Sequence, residues 1–371
     1  MGLALAVAVT GLVATMPYIA LQLVGIQVVI GSLGVGSGDI PLIVAFVILA
    51  LYTYTSGLRA PAMIAFVKDV MIYVVVLAAV LVIPVQLGGY GAVFEAAGKV
   101  FQTRGGATGL TLKSAQMLPF ASLALGSALA LFMYPHSVTG ILSSSSSRAV
   151  RWNTILLPAY TLLLGLVALL GYMAIAYGIK VSNPNEVVPA LFDHIFPEWF
   201  AGFSLAAIAI GALVRAAIMS IGAANLFTRN IWKPLLRPQI SSREEATVAK
   251  IVSLVVKLGA LLFIIFMPTQ YAIDLQLLGG ILMLQILPSV VLGLYRLPFQ
   301  GNTLFLGWVA GIVAGVWLFA LAGLKPVYPI NAFGNVFAVY SGVLALIANL
   351  IVCFVGWLFS LLLPNRQVNG A

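Results

Sequence analysis

The sequence predicts an all-α integral membrane protein with about ten transmembrane helices, and three observations predict it. Hydrophobic residues make up 62% of the 371 positions and charged residues only 7%, against roughly 25% charged in soluble domains. The mean hydropathy is +1.14. Apolar runs of about 20 residues, the length that crosses a bilayer, recur from end to end with Gly and Pro between them. The formal charge of +9 is scattered singly through the connections. That pattern points to membrane topology and a lipid-bilayer environment, not to a nucleic-acid partner.

The first run, 3–30, opens MGLALAVAV with no basic n-region and no A-x-A exit, so a span is expected there and not a cleaved signal peptide. Spans at 39–56 and 65–87 follow, then a Gly-rich connection over 88–117. The fourth span, 118–136, ends in Tyr134-Pro135-His136, where proline removes a rung of the helical ladder. Five serines and two arginines after it form a basic turn. A span at 154–178 leads into IKVSNPNEVVPALFDHIFPEW (179–199), expected to rest on the membrane interface with Phe192, Phe196 and Trp199 as anchors. After the span at 200–226, Pro234 and Pro238 interrupt the chain, and Ser241-Ser242 ahead of Glu244-Glu245 form a capping-box start for the next helix. The remaining spans are 247–267, 271–294, 304–323 and 336–362, all within one transmembrane domain, 1–371.

With a cytoplasmic N-terminus, the inside loops hold Arg59 with Lys68, then Arg148 and Arg151, then Arg229, Lys233, Arg237 and Arg243, then Arg296, and finally Arg366. The outside loops hold Lys99, Arg104, Lys113, Lys180 and Lys325, diluted by Glu95, Glu186, Asp193 and Glu198. The positive-inside rule therefore predicts a multi-pass plasma-membrane protein with both ends of this chain cytoplasmic.

Catalytic chemistry is poorly supplied. His136 and His194 lie far apart, Cys353 is the single cysteine, GxSxG is absent and most acids lie on loops. An enzyme, a metal centre and a resident cofactor are accordingly not expected. Ionisable residues inside spans are few, and each is a functional candidate because burial in hydrocarbon is costly. Lys68 and Asp69 lie near the cytoplasmic end of the third span, where Lys68 is expected to snorkel and Asp69 to pair with it or with a loop arginine. Lys257 is expected to snorkel to the same face. Arg215 lies mid-span in AIGALVRAAIMSIGAANLF and either attracts an anionic solute or packs against carbonyls. On that same small-residue helix Ser220 and Asn225 supply a neutral hydroxyl and amide.

Four stretches together resemble the sodium:solute symporter family, and within it the bacterial permeases for short monocarboxylates. They are VATMPYIALQLVGIQVVI (13–30), LALYTYTSGLRAPAMIAFVKDVMIY (49–73), ALFMYPHSVTGILSSSSSRAVRWNTILLPAY (130–160) and AAIMSIGAANLFTRNIW (216–232). The resemblance implies a leucine-transporter-like fold of two inverted five-helix repeats, with a partial core over 1–294 and accessory helices over 304–362. It makes the first span the third core helix, the fourth span the broken sixth and the sixth span the eighth. It also implies about three helices ahead of Met1, so the fold is expected to be N-terminally incomplete and the chain alone not to transport. Where related members place Ser/Thr sodium ligands on the eighth core helix, this chain has Val214 and Arg215. Neither binds sodium, which leaves Na+ and H+ both open as coupling ion and an uncoupled anion path open beside them.

The implied activity is cation-coupled, alternating-access symport of a small organic anion such as acetate, lactate or pyruvate. The expected solute-lining groups are Tyr18 and Gln22, spaced i, i+4 on one face, with Ser122, Ser127, Tyr134, Ser220, Asn225 and Arg215. Pro135 and His136 are expected at a gate, the imidazole bonding carbonyls freed near Ala130 to Phe132. A non-transporting symporter-like protein or sensor module is the alternative.

Overall fold

The computed structural model describes residues 2–35, 39–56, 59–103, 109–266, 272–295, 299–332 and 334–362. Arg104, Arg296 and Arg366 of the expected charge pattern lie outside these residues. Among the described residues there are fourteen α-helices: α1 (Gly2–Ser32), α2 (Ile40–Ser56), α3 (Arg59–Gln86), α4 (Tyr90–Thr103), α5 (Ser114–Met133), α6 (Pro135–Leu142), α7 (Ser147–Tyr177), α8 (Val187–Ile195), α9 (Glu198–Phe227), α10 (Ser242–Phe266), α11 (Ala272–Leu284), α12 (Leu287–Leu294), α13 (Gly301–Leu321) and α14 (Ser341–Leu362). Among the described residues nine helical segments are long and apolar enough to cross a membrane, and α2 is a shorter apolar one. The expected number of about ten spans is met on that basis.

The spans hide their mutual contacts and leave their outer faces apolar, as a bilayer requires. One core joins α1, α2, α9 and α10 through Ile19, Leu23, Leu42, Leu49, Met219 and Val256. A second joins α3, α4, α7 and α8 through Val76, Ile83, Val93, Leu163, Leu191 and Phe192. A third places Ala14 of α1 with Ala130, Tyr134, Met283 and Leu346. Meanwhile Ile155, Leu156, Leu162 and Leu164 of α7 stay exposed on its outer face.

Helix ends follow the local chemistry. The side chain of Ser146 accepts the Ala149 N–H at 3.2 Å and so caps α7, while Gly178 closes that helix in the left-handed region at φ 79°. Ser241 accepts the Glu244 N–H at 3.2 Å, as the capping-box reading expects. Beyond α9 the helix continues as a π-helical stretch, Thr228–Leu236, that carries Pro234. Lys68 and Asp69 form the expected pair at 2.7 Å.

Four features depart from the sequence reading. The connection at 88–117 contains α4, which turns off α3 at Gly88 and Gly89 (φ 88° and 100°) and buries Val93 and Ala97 one helical turn apart. Phe192 is not an interface anchor: α8 lays it inward at 1% exposure, and Trp199 alone of the three is wide open. The eighth span is broken. α11 stops before Gln285, whose amide donates to Ile281 O at 3.0 Å and Gly342 O at 3.3 Å, while Asn349 of α14 donates to Gln285 O at 2.9 Å. The last span starts at Ser341, because the residues before it form an antiparallel strand pair, β1 (Val327–Ala332) with β2 (Asn335–Tyr340). A small β element thus interrupts an otherwise helical chain.

Asn349 is fully buried and serves a carbonyl that the break removes from its ladder. Asn349→Ala is expected to destabilise the protein by about 1–3 kcal/mol, seen as a lower melting temperature in detergent. An unchanged melting temperature would show that the break holds without it.

Candidate functional site

The fourth span is a broken helix. α5 ends at Met133, Tyr134 is extended (φ −62°, ψ 139°), and α6 restarts with Pro135 at its first position, where the missing N–H costs nothing. Ser137 and Val138 donate to the Tyr134 carbonyl at 3.0 and 3.1 Å and so begin the new ladder. The resemblance made this span the broken sixth core helix, and the structure has the break, with the second helical piece starting at Pro135.

Three helices press on this break through glycines. A Cβ on Gly222 of α9 would lie 2.9 Å from the His136 amide nitrogen, and one on Gly11 of α1 would lie 3.1 Å from the Pro135 ring. Gly279 of α11 approaches the Tyr134 hydroxyl in the same way, at 3.1 Å. Close approach of backbones is what small residues permit in membranes.

Around the break three rings gather. Tyr18 of α1 meets Tyr134 edge-on, with centroids 5.3 Å apart, and meets His136 at 5.8 Å; Tyr134 and His136 are 5.4 Å apart. Tyr134 is buried and Tyr18 half-buried. Gln22, one turn beyond Tyr18, is buried, and its amide has no hydrogen-bond partner among the described residues. The His136 Nδ1 is also buried without a partner, so the expected bond to carbonyls near Ala130 is not made. The ring instead packs edge-on against Tyr18 and tilted against Tyr134.

Arg215 lies seven residues before Gly222 and four after Gly211, on one stripe of α9. Gly211 faces the Lys68 stem of α3, and Gly222 faces His136 of α6. Arg215 therefore sits between those two helices, within electrostatic reach of the His136 ring. It is exposed and has no ion pair or hydrogen bond among the described residues. Val214 beside it is buried and apolar, so this part of α9 offers no neutral oxygen to a cation.

The remaining candidates fall elsewhere. Ser122 accepts the Tyr340 N–H at 3.0 Å and donates to Pro119 O at 3.0 Å, which fastens β2 to α5. Ser127 is half-buried two turns before Tyr134 and has no bonding partner among the described residues. Ser220 joins a buried chain with Ser253 and Lys257 of α10. Asn225 lines a cavity with those two residues, away from the ring cluster. Lys257 does not snorkel: at 1% exposure it bonds inside the protein. Sequence reasoning missed that: Ser253 lies one turn before Lys257 on the same helix, but the packing of α9 that buries the pair and adds Ser220 is not legible along α10.

Comparison with known proteins bears on this geometry. Residues 3–311 match the sodium:solute symporter family. The chain is 59% identical to a monocarboxylate transport permease protein of Rhizobium johnstonii, over 95% of this chain and 72% of that protein. It is 33% identical to an uncharacterized symporter of Bacillus subtilis, YodF, over 94% of this chain and 68% of that one. A solved Na+-coupled sialic acid symporter, in a substrate-bound outward-open state, superposes with a TM-score of 0.70 at 17% identity, covering 98% of this chain and 75% of its own.

Proposed function

The chain belongs to the sodium:solute symporter family and has a leucine-transporter-like fold, and from that premise we propose that it serves the cation-coupled uptake of a short monocarboxylate such as acetate, lactate or pyruvate. The observation that carries the solute class is Arg215. A guanidinium at mid-span with no carboxylate partner among the described residues is costly unless a mobile anion supplies the charge. It lies beside a broken helix, where the ladder is interrupted and side chains from α1, α6 and α9 converge. The similarity to a monocarboxylate permease supports the same class.

In this reading the carboxylate docks on Arg215, and Tyr18, Tyr134 and His136 line the apolar side of a small solute. Gln22 supplies an uncommitted amide nearby. The four-helix core of α1, α2, α9 and α10 is the scaffold, and α5 with α6 is the element that moves against it as access alternates. The family name and the Na+-coupled neighbour favour sodium as coupling ion. The Val214-Arg215 pair keeps the proton as the competing choice. Basic loops on one face support cytoplasmic placement of the chain ends in the plasma membrane.

Uptake of labelled pyruvate and acetate into proteoliposomes tests the proposal. It is measured for this chain and for the product of any longer in-frame reading of its gene, under imposed sodium and proton gradients in turn. Stimulation by one gradient identifies the coupling ion. No uptake of any short acid by either protein would sink the monocarboxylate reading.

A further inference from the structure

The cavity between α2, α9 and α10 is separate from the ring cluster and has unusual chemistry for its depth. It encloses about 230 Å³ and is lined by Thr53, Tyr54, Asn225, Lys250, Ser253 and Lys257 among apolar neighbours, with no acidic side chain in its wall. Lys257 lies about 22 Å along α10 from Ser242, at 1.5 Å per residue. Its ammonium donates to Ser253 Oγ at 2.8 Å; Ser253 donates to Ser220 Oγ at 3.2 Å; Ser220 donates to Ala217 O at 2.9 Å.

Every donor in that chain points away from Lys257. One ammonium proton is satisfied and two are not, and Lys257 has no ion pair among the described residues. Nearer the cavity mouth, Lys250 lies over the Tyr54 ring, 5.3 Å from its centroid. The Asn225 amide is without a hydrogen-bond partner among the described residues. Two cations and an amide therefore surround a space that offers them no counter-charge. A buried ammonium is tolerated when paired and costly when alone.

We propose that this cavity binds a small monovalent anion, held by Lys257 and Asn225 with Lys250 at the entrance. Water occupies about 30 Å³ per molecule, so the space admits a halide with part of its hydration or a carboxylate of two or three carbons. The shared chemistry is a compact acceptor of single charge. Its source is either the salt of the medium or a short organic acid. By binding at the seam between α9 and α10, it would stiffen the scaffold against which the broken helix moves.

Thermal unfolding of the purified chain in detergent, followed by tryptophan fluorescence at constant ionic strength, tests this. Chloride and bromide in one arm and acetate in another replace potassium gluconate. The measurement is repeated in Arg215→Gln, which removes the solute cation proposed above and leaves this cavity intact. The expected result is a saturable rise of a few degrees in both backgrounds, lost in Lys257→Met. In Lys250→Gln, at the exposed mouth, the half-saturating concentration rises several-fold, which keeps a readout if Lys257→Met fails to fold. Protection by halide alone assigns the anion to the medium, and protection by acetate alone assigns it to an organic acid. Absence of protection by either, or protection unchanged in Lys257→Met, would overturn the site while leaving the uptake result untouched.

Discussion

Arg215→Gln is expected to raise the KM for a transported short carboxylate by roughly 10- to 100-fold, because a hydrogen bond to a charged group contributes about 1.5–3 kcal/mol and each 1.4 kcal/mol is tenfold. The melting temperature should hardly move, since the side chain is exposed and binds no other described residue. Those two readouts separate solute binding from a structural role. A guanidinium that merely packed against carbonyls would leave them unsatisfied on removal, and stability would fall while KM stayed. Arg215→Lys sharpens the test. It keeps the charge at nearly the same depth but loses the planar fork that matches a carboxylate, so it should fall between wild type and Arg215→Gln. Concentration dependence of initial pyruvate uptake in proteoliposomes, in whichever form of the chain transports, measures all three proteins. An unchanged KM in Arg215→Gln removes Arg215 from the solute site.

Much of this architecture is legible in the sequence because a bilayer imposes a length and a polarity on each span. The runs at 39–56, 200–226 and 304–323 coincide closely with α2, α9 and α13. Proline at 135 announced the break after Tyr134, since its ring and missing N–H cannot continue a ladder. The break at Gln285 is marked by Pro288 in the first turn of α12, three residues late; ILMLQILPSV is apolar but for Gln285 and Ser289, and Asn349, which serves the Gln285 carbonyl, lies 64 residues away. The strand pair before Ser341 was hidden for another reason: NVFAVY is as apolar as a helix start. Only its pairing with VYPINA and the burial of Tyr340, whose hydroxyl reaches Leu277 O at 2.7 Å, fix it as a strand.

The same limit governs the site. Tyr18, Tyr134 and His136 were each visible as polar aromatics at marked positions, and the structure brings their rings within 6 Å of one another. Ser220 and Asn225 were visible too, as polar residues on a helix of small ones. Their destination was not. Periodicity along α9 gives the face a residue occupies, whereas the partner on that face depends on which helix packs there. For Ser220 that partner is Ser253, 33 positions away on α10.

Gly222→Val is expected to abolish most transport while the protein still inserts and folds with reduced stability. The reason lies in what a side chain would strike. A Cβ at 222 would lie 2.9 Å from the His136 nitrogen, 3.0 Å from its Cα and 3.1 Å from the Pro135 carbonyl carbon, all of them main-chain atoms at the start of α6. A flexible side-chain tip could swing aside; backbone at a helix start cannot, because Gly11 of α1 already approaches the Pro135 ring. Overpacking of this kind costs about 1–3 kcal/mol, and its geometric result is a displacement of α6 from α9. That displacement would part His136 from Tyr18 and move the gate away from Arg215, so uptake should fall far more than folded yield. Gly202 on the same helix provides the control, since nothing lies within 4 Å of a Cβ built there. Gly202→Ala should transport like wild type. Measuring uptake per folded molecule, with monodispersity checked by size-exclusion chromatography, distinguishes the outcomes. Wild-type uptake in Gly222→Val would mean that transport does not depend on the tight seat of the broken helix against α9.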